Sequence, residues 1–215
     1  MTSDELAIYC IDIGSVAAGN FAWARGLQGN LVSSQNPAEL VTSLAGDLNR
    51  GLRVTLGLEC PLFVAVREKA SDLTKCRDCE VFADKGGKRR VAPWSAGPGC
   101  GSMGTGIVQS VWVLKEVRRL LHETVPVFLD WGKFEESPSG LFLWEAFING
   151  VAKATTHEGD ALIGVKEFSS NLPNIIGANV CHEKYVHSLI GAALLRTGWS
   201  QDLSLLSAPC IVIRA

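Results

Sequence analysis

The sequence lacks a marked excess of charge of either sign. Lysine and arginine total 20 and aspartate and glutamate total 22, so the formal net charge at pH 7 is -2. A chain so close to neutral has no overall attraction to nucleic acid or to an acidic membrane, and any such binding must come from a local patch.

Targeting segments and long apolar runs are also missing. The chain opens with Asp4 and Glu5 near its start, where a secretory signal needs basic residues, and the apolar run that follows is too short for a signal peptide. No stretch has the length of a transmembrane helix. We therefore expect neither a signal peptide nor a membrane partner.

The seven cysteines include only one CxxC pair, Cys76 and Cys79. A structural zinc site would have to add Cys100 or a histidine, so we expect no zinc there. Other cysteines lie in or beside apolar strand-like runs, where a thiol behaves as a small hydrophobe: Cys10, Cys60 and Cys210. This odd, mostly apolar set favours a reducing compartment, and we expect a cytoplasmic location.

The residue types of the glycine-rich segment 99–104 match the dinucleotide-binding pattern GxGxxG, but the elements around the segment do not. That fingerprint needs a strand that runs into a helix, whereas the preceding segment is basic and broken by Pro93. The lysine of a P-loop is missing too. The segment therefore predicts a flexible lead into a helix over 104–122, whose apolar stripe belongs to the core.

What the sequence does contain is an acid at the end of each of two apolar strands. The run 6–13 contains Asp12 and stops at Gly14, and the strand 53–58 closes on Glu59. Carboxylates at the carboxyl ends of neighbouring strands repel each other unless a cation or a proton lies between them. The structural alternatives are that Asp12 caps the following turn and that Glu59 faces solvent.

The order of the predicted elements favours an α/β fold. At 215 residues the chain suits one domain, 1–215, with a basic, glycine-rich insertion at about 64–106. The first three strands predict an antiparallel meander. The predicted strands cover 6–13, 20–25, 31–34, 53–58, 125–131, 141–148 and 209–214. The predicted helices cover 36–49, 104–122, a segment that opens at 155, and 183–197.

Three more candidate site residues lie later in the chain. Glu145 interrupts the apolar run 141–148, so its carboxylate must be paired or belong to a site. His157 and Asp160 stand at the start of a predicted helix. Because the helix dipole favours acids in the first turn, a purely structural role is the alternative for Asp160 and for Glu158.

Asp12, Glu59 and the run His157-x-x-Asp160-Ala161 occur in the order in which RuvC-type resolvases carry their metal ligands, and the chain resembles the ribonuclease H-like superfamily. It also resembles a poorly characterised group of predicted nucleases in that superfamily, with Glu145 as the late-strand glutamate and a basic segment after the fourth strand. The resemblance implies a mixed central sheet, made of a three-strand antiparallel meander plus parallel strands, with helices on both faces.

The resemblance implies metal-dependent phosphodiester hydrolysis at a two-metal carboxylate site. Asp12, Glu59 and Asp160 would hold Mg²⁺ or Mn²⁺, which prefer oxygen ligands, with help from Glu145. One ion would activate water and the other would stabilise the leaving oxygen. His157 would act as an outer proton carrier.

The basic insertion is the expected contact with nucleic acid, either DNA or RNA. Four basic residues crowd within six positions, a density that costs self-repulsion unless an anion relieves it: Lys85, Lys88, Arg89 and Arg90. A solvated loop is the structural alternative.

Two other classes of function stay open. In many relatives the last helix carries an acid where this chain has Ser188, which favours a non-catalytic binding protein with a degenerate site unless Glu183 or His187 substitutes. The segment Asp12-Ile13-Gly14-Ser15 also resembles the first phosphate loop of actin-like ATPases and sugar kinases. Those proteins need two duplicated halves, and this chain has room for one.

Overall fold

A computed structural model describes residues 6–83, 87–148 and 152–215. Its strands are β1 (Leu6–Asp12), β2 (Ala22–Leu27), β3 (Asn30–Ser34), β4 (Arg53–Leu58), β5 (Phe63–Ala65), β6 (Val81–Ala83), β7 (Arg89–Val91), β8 (Val127–Phe128), β9 (Gly140–Phe147), β10 (Val186–Ser188) and β11 (Val212–Arg214). Its α-helices are α1 (Pro37–Asn49), α2 (Gly97–Leu120), α3 (Trp131–Glu136), α4 (His157–Ser170) and α5 (Leu189–Thr197).

The central sheet is mixed, as predicted. Its strand order is β3-β2-β1-β4-β9, and both β8 and β11 pair with the outer edge of β9. β1, β2 and β3 form the antiparallel meander, whereas β4 is parallel to β1 and β9 is parallel to β4. β4 therefore lies in the middle of the sheet, beside β1.

Helices cover both faces of this sheet. Side chains alternate along a strand, so β1 contributes to two separate apolar clusters. One face packs against α1, α2 and α5 and includes Tyr9 and Ile11. The other packs against α3 and α4 and includes Ile8 and Cys10. The predicted placement of helices on both faces is confirmed.

The start of α1 follows its sequence signals. The side chain of Asn36 accepts a hydrogen bond from the backbone N–H of Ala38 at 2.9 Å, and Pro37 takes the first helical position. Such a cap stabilises a helix by about 1 kcal/mol, because it satisfies a donor that has no partner inside the helix.

The structure corrects two predicted boundaries. The strand predicted at 125–131 is limited to β8, because α3 begins at Trp131, whose ring packs edge-on against Phe142 at 5.1 Å between centroids. The helix predicted at 183–197 begins only at Leu189, since the preceding residues form β10, which pairs with β5. In both places tertiary packing outweighs the local pattern.

The glycine-rich segment is helical instead of a flexible lead. α2 begins at Gly97, so the segment 99–104 lies inside its first turns. A Cβ at Gly99 would lie 2.3 Å from the carbonyl oxygen of Pro93, so the glycine allows a close approach of two backbone segments. No helix in the described part of the chain combines the length and the apolar character needed to cross a membrane.

Candidate metal centre

Asp12 and Glu59 lie side by side at the carboxyl edge of the sheet. β1 and β4 are adjacent and parallel, with Ile11 opposite Leu58, and the N–H of Glu59 donates to the carbonyl oxygen of Ile11 at 2.9 Å. The prediction that these two acids end adjacent parallel strands is confirmed. Asp160, in the first turn of α4, joins them, and one carboxylate oxygen from each of the three lies within 4.8 Å of the others.

Asp12 does not cap the turn after β1, which was the structural alternative to a place in a site. Ser15 supplies the capping side chain, since its hydroxyl accepts a hydrogen bond from the N–H of Ala18 at 3.2 Å. At Gly14 a Cβ would lie 1.9 Å from the carbonyl oxygen of Asn20, so only glycine fits this turn. The Asp12 side chain is only 6% exposed and points instead towards α4.

Asp160 is oriented by the connection that precedes α4. Thr156 caps this helix by accepting a hydrogen bond from the N–H of Gly159 at 3.1 Å, and Oδ1 of Asp160 accepts one from the N–H of Ala154 at 2.6 Å. The predicted structural role at the helix start therefore coexists with a place in the acidic group.

Burial and a neighbouring carboxylate disfavour the charged form of Glu59. Its side chain is 11% exposed, so the solvent-facing alternative does not hold. Oε2 is buried, and no donor among the described residues contacts it. Burial and then the Asp12 carboxylate raise the pKa of Glu59 to about 8, against the opposing effect of Lys153. A proton or a cation between the two carboxylates would relieve this cost.

Lys153 is a site residue that the sequence analysis missed. Its Nζ lies 2.9 Å from Oε1 of Glu59 and 3.3 Å from Oδ2 of Asp160. Burial lowers the pKa of Lys153, but Glu59 and Asp160 more than offset this, so the pKa lies above its ordinary value. A single lysine in the connection between β9 and α4 carries no sequence signal, because its partners come from elsewhere in the chain.

His157 lies beside the acids, as its position on the same helix turn as Asp160 suggested. Its Nδ1 is 2.5 Å from Oδ2 of Asp12, and 41% of its side chain is exposed. A short contact with a carboxylate favours the ring proton on Nδ1 and leaves Nε2 outside this contact.

Glu145 is not brought into the acidic group. Both of its carboxylate oxygens accept hydrogen bonds from the guanidinium of Arg77, at 2.8 and 2.7 Å, and Oε2 also accepts one from the N–H of Leu62. The structure thus selects the paired alternative and removes Glu145 from the predicted catalytic set. Arg77, which lies within the insertion at 64–106, is fully buried and also pairs with Glu80 at 2.8 Å.

The last helix adds no acid to the site. The Ser188 hydroxyl caps α5 by accepting a hydrogen bond from the N–H of Gly191 at 3.1 Å. Glu183 is paired with Arg67 at 2.8 Å, and His187 is an exposed residue of β10. Neither of the two suggested substitutes belongs to the acidic group.

The basic segment lies next to this centre. Arg89 and Arg90 belong to β7, which forms an exposed hairpin with β6, and Lys88 precedes them, whereas Lys85 is outside the described residues. Arg90 lines a cavity of about 660 Å³ that Glu59 also lines. A basic residue of this segment and an acid of the group therefore border the same cavity.

Cys79 of the CxxC pair faces Cys181 instead of Cys76. The two Sγ atoms are 2.8 Å apart, and both residues are buried. Ligand atoms of Asp78, Cys79 and Cys181 cluster within 4.8 Å of one another, and Cys76 is not in this group. The absence of zinc at Cys76 and Cys79 stays a prediction.

Comparisons of the chain with protein-family models, with curated proteins and with solved structures found no match. The fold and the site themselves define an α/β protein in which three carboxylates, a lysine and a histidine converge at the carboxyl edge of a mixed sheet.

Proposed function

We propose that the protein is a Mg²⁺- or Mn²⁺-dependent phosphodiesterase of the ribonuclease H-like superfamily that acts on nucleic acid. The observation that carries this proposal is the convergence of Asp12, Glu59 and Asp160 within 4.8 Å, with Oε2 of Glu59 buried and lacking a donor among the described residues. The order of the strands and the meander at one edge agree with such a fold.

The donor set fits a hard divalent cation. All three acids offer carboxylate oxygens, which suit Mg²⁺ and Mn²⁺, and the cluster contains no sulfur or imidazole ligand that would favour zinc. Such an ion, when bound, supplies activation of water and stabilisation of charge on the leaving oxygen.

The remaining residues have separate tasks. Asp12 and Glu59 hold the ion at the ends of two strands that hydrogen-bond to each other, which keeps their spacing rigid. Lys153 orients one oxygen each of Glu59 and Asp160. His157 exchanges a proton at Nε2, because its Nδ1 is engaged by Asp12.

The direct test is metal-dependent hydrolysis. The purified protein, treated with a chelator and then supplied with Mn²⁺, is expected to cleave fluorescent single-stranded and duplex oligonucleotides and to lose this activity when the chelator returns. Calorimetric titration with Mn²⁺ alone provides a readout that needs no substrate. A chain that neither binds Mn²⁺ nor cleaves any phosphodiester would contradict the proposal.

A non-catalytic binding protein is the second candidate, and Lys153 is the observation that favours it. Its ammonium contacts two of the three acids, so part of their charge is neutralised without any metal. In that case Mn²⁺ would not bind, although nucleic acid still would.

Replacing Lys153 with Met separates the two candidates. The change removes a positive charge from beside Glu59 and Asp160, so a metal-binding site should gain affinity for Mn²⁺ by about tenfold in calorimetry. Lys166→Met, an exposed lysine further along α4, is the matched control and should leave the affinity unchanged. Unchanged or weaker Mn²⁺ binding by the Lys153 variant would count against a cation at these acids.

The basic hairpin provides a test of the nucleic-acid partner. Binding should weaken with salt by about 0.7 to 0.9 log units per log unit of salt for each phosphate that is neutralised. Changing the four basic residues to Ser should weaken binding and lower that slope, as measured by fluorescence anisotropy: Lys85, Lys88, Arg89 and Arg90.

The control for this variant keeps the same kind of change at another surface. Lys115 and Lys133 are exposed and lie outside the hairpin, so their double change to Ser should leave the salt slope near its original value. If the quadruple variant keeps the original affinity and slope, the hairpin is a solvated segment and does not bind phosphates.

A further inference from the structure

The lining of the cavity beside the metal centre is chemically mixed. It includes Glu59 and Lys153 of the centre and an aromatic wall formed by Phe82 and Phe147. Its volume of about 660 Å³ lies within the range of pockets that hold small organic ligands, roughly 300 to 1,000 Å³. A molecule bound at the metal centre can therefore extend into an apolar space.

A guanidinium packs against both rings of the aromatic wall. The rings of Phe82 and Phe147 meet edge to face, with 5.7 Å between their centroids. The guanidinium of Arg214 lies 4.7 Å from the centroid of the first ring and 5.2 Å from that of the second. Such contacts hold aromatic rings in place, so the wall offers a fixed surface for a flat apolar group.

The acids that line the cavity away from the metal centre share one cation. Glu80 and Glu145 both border it, but each is paired with the buried guanidinium of Arg77. Arg90 also lines the cavity. The arrangement therefore suits a ligand with an anionic group at the metal centre and a planar ring a short distance away.

We propose that this cavity binds the base of the nucleotide next to the scissile phosphate, so that the substrate is single-stranded or unstacked nucleic acid; this rests on the proposed phosphodiesterase function. A base inside a duplex is stacked and paired and reaches such a cavity only after it leaves the helix. Because every base has a π-face, stacking on Phe82, against which Phe147 packs, distinguishes a strand with bases from an abasic strand without selecting a sequence.

The test compares two short single strands with equal phosphate charge. One is an oligothymidylate, and the other carries the same backbone with abasic residues throughout. With Ca²⁺ as a cation that takes the same oxygen ligands, the oligothymidylate should bind at least about tenfold more tightly in fluorescence anisotropy. In Mn²⁺, a single strand should be cleaved faster than the corresponding duplex.

Variants of Phe82 and a control at Tyr185 measure the contribution of the aromatic wall to binding. Phe82→Ala should bring the affinity ratio of the two strands close to one while the affinity for the abasic strand stays unchanged. Tyr185→Ala removes an aromatic side chain that is 58% exposed and does not line the cavity, so it should keep the ratio. Phe82→Leu, which preserves apolar packing, should lose most of the ratio and shows that a folding defect is not the cause.

The base-binding cavity and the phosphodiesterase function are contradicted by different results. If the wild-type protein binds both strands equally and cleaves both in Mn²⁺, the base-binding cavity is wrong and the phosphodiesterase stands. If Mn²⁺ does not bind and no oligonucleotide, single-stranded or duplex, is cleaved, the phosphodiesterase is wrong and the cavity inference falls with it. If only duplex is cleaved, the cavity inference alone is wrong. An unchanged ratio in a folded Phe82→Ala variant would also overturn the cavity inference.

Discussion

Replacing Asp12 with Asn is expected to lower Mn²⁺-dependent phosphodiester hydrolysis by about a thousandfold or more. The amide has nearly the same shape as the carboxylate, so the buried end of β1 keeps its packing. It has no negative charge, however, and it offers His157 a neutral acceptor in place of the carboxylate. The measurement is kcat on a fluorescent oligonucleotide at saturating Mn²⁺, together with calorimetric Mn²⁺ affinity.

Glu158→Gln is the matched control for this variant. Glu158 lies in the first turn of α4, close in sequence to Asp160, but its carboxylate contacts Gln35 at 2.8 Å and does not belong to the acidic group. Its loss should change kcat by less than about twofold. Full activity of the Asp12→Asn variant would show that hydrolysis, if present, takes place elsewhere.

Replacing Arg77 with Met should lower the free energy of unfolding by about 3 to 5 kcal/mol. The guanidinium is fully buried and pairs with Glu145 and Glu80, whose side chains are each about 1% exposed. Its removal leaves two buried carboxylates without a cation. Urea unfolding followed by circular dichroism gives the change, provided that the slope of the transition stays the same.

Two further variants test the physical cause of that loss. The double variant Arg77→Met/Glu145→Gln should recover part of the stability, because one of the buried charges is removed. Arg67→Met breaks the partly exposed pair with Glu183 and should cost only about 1 kcal/mol, since water compensates its loss. Equal losses for Arg67→Met and Arg77→Met would show that burial of the ion pair is not what makes it important.

Local signals were sufficient where a residue's role depends on its neighbours in the chain. Asn36 and Pro37 predicted the start of α1, and the apolar runs that stop at Asp12 and Glu59 predicted two strand ends at one edge of the sheet. A strand or a cap is set by alternation and by hydrogen bonds within a few residues, so its pattern is visible in the sequence.

Prediction from the local sequence was wrong where residues from distant parts of the chain determine the conformation. The segment 99–104 was predicted as flexible because it is rich in glycine, but it is helical, and Gly99 permits close packing against the backbone of Pro93. Trp131 was predicted in a strand, yet its aromatic contact with Phe142 stabilises a helix. Local composition limits the conformations that the backbone can adopt. Packing against neighbouring elements determines which of them is found.

The sequence by itself determined the apolar runs that form the central strands, the capped start of α1 and the two acids that end β1 and β4. Only the tertiary structure decided how the charges combine: Glu145 pairs with Arg77, whereas Lys153 joins Glu59 and Asp160. The physical reason is that a buried charge must find an opposite charge in space. Residues 68 positions apart, such as Arg77 and Glu145, become partners only when the sheet and its insertion pack together.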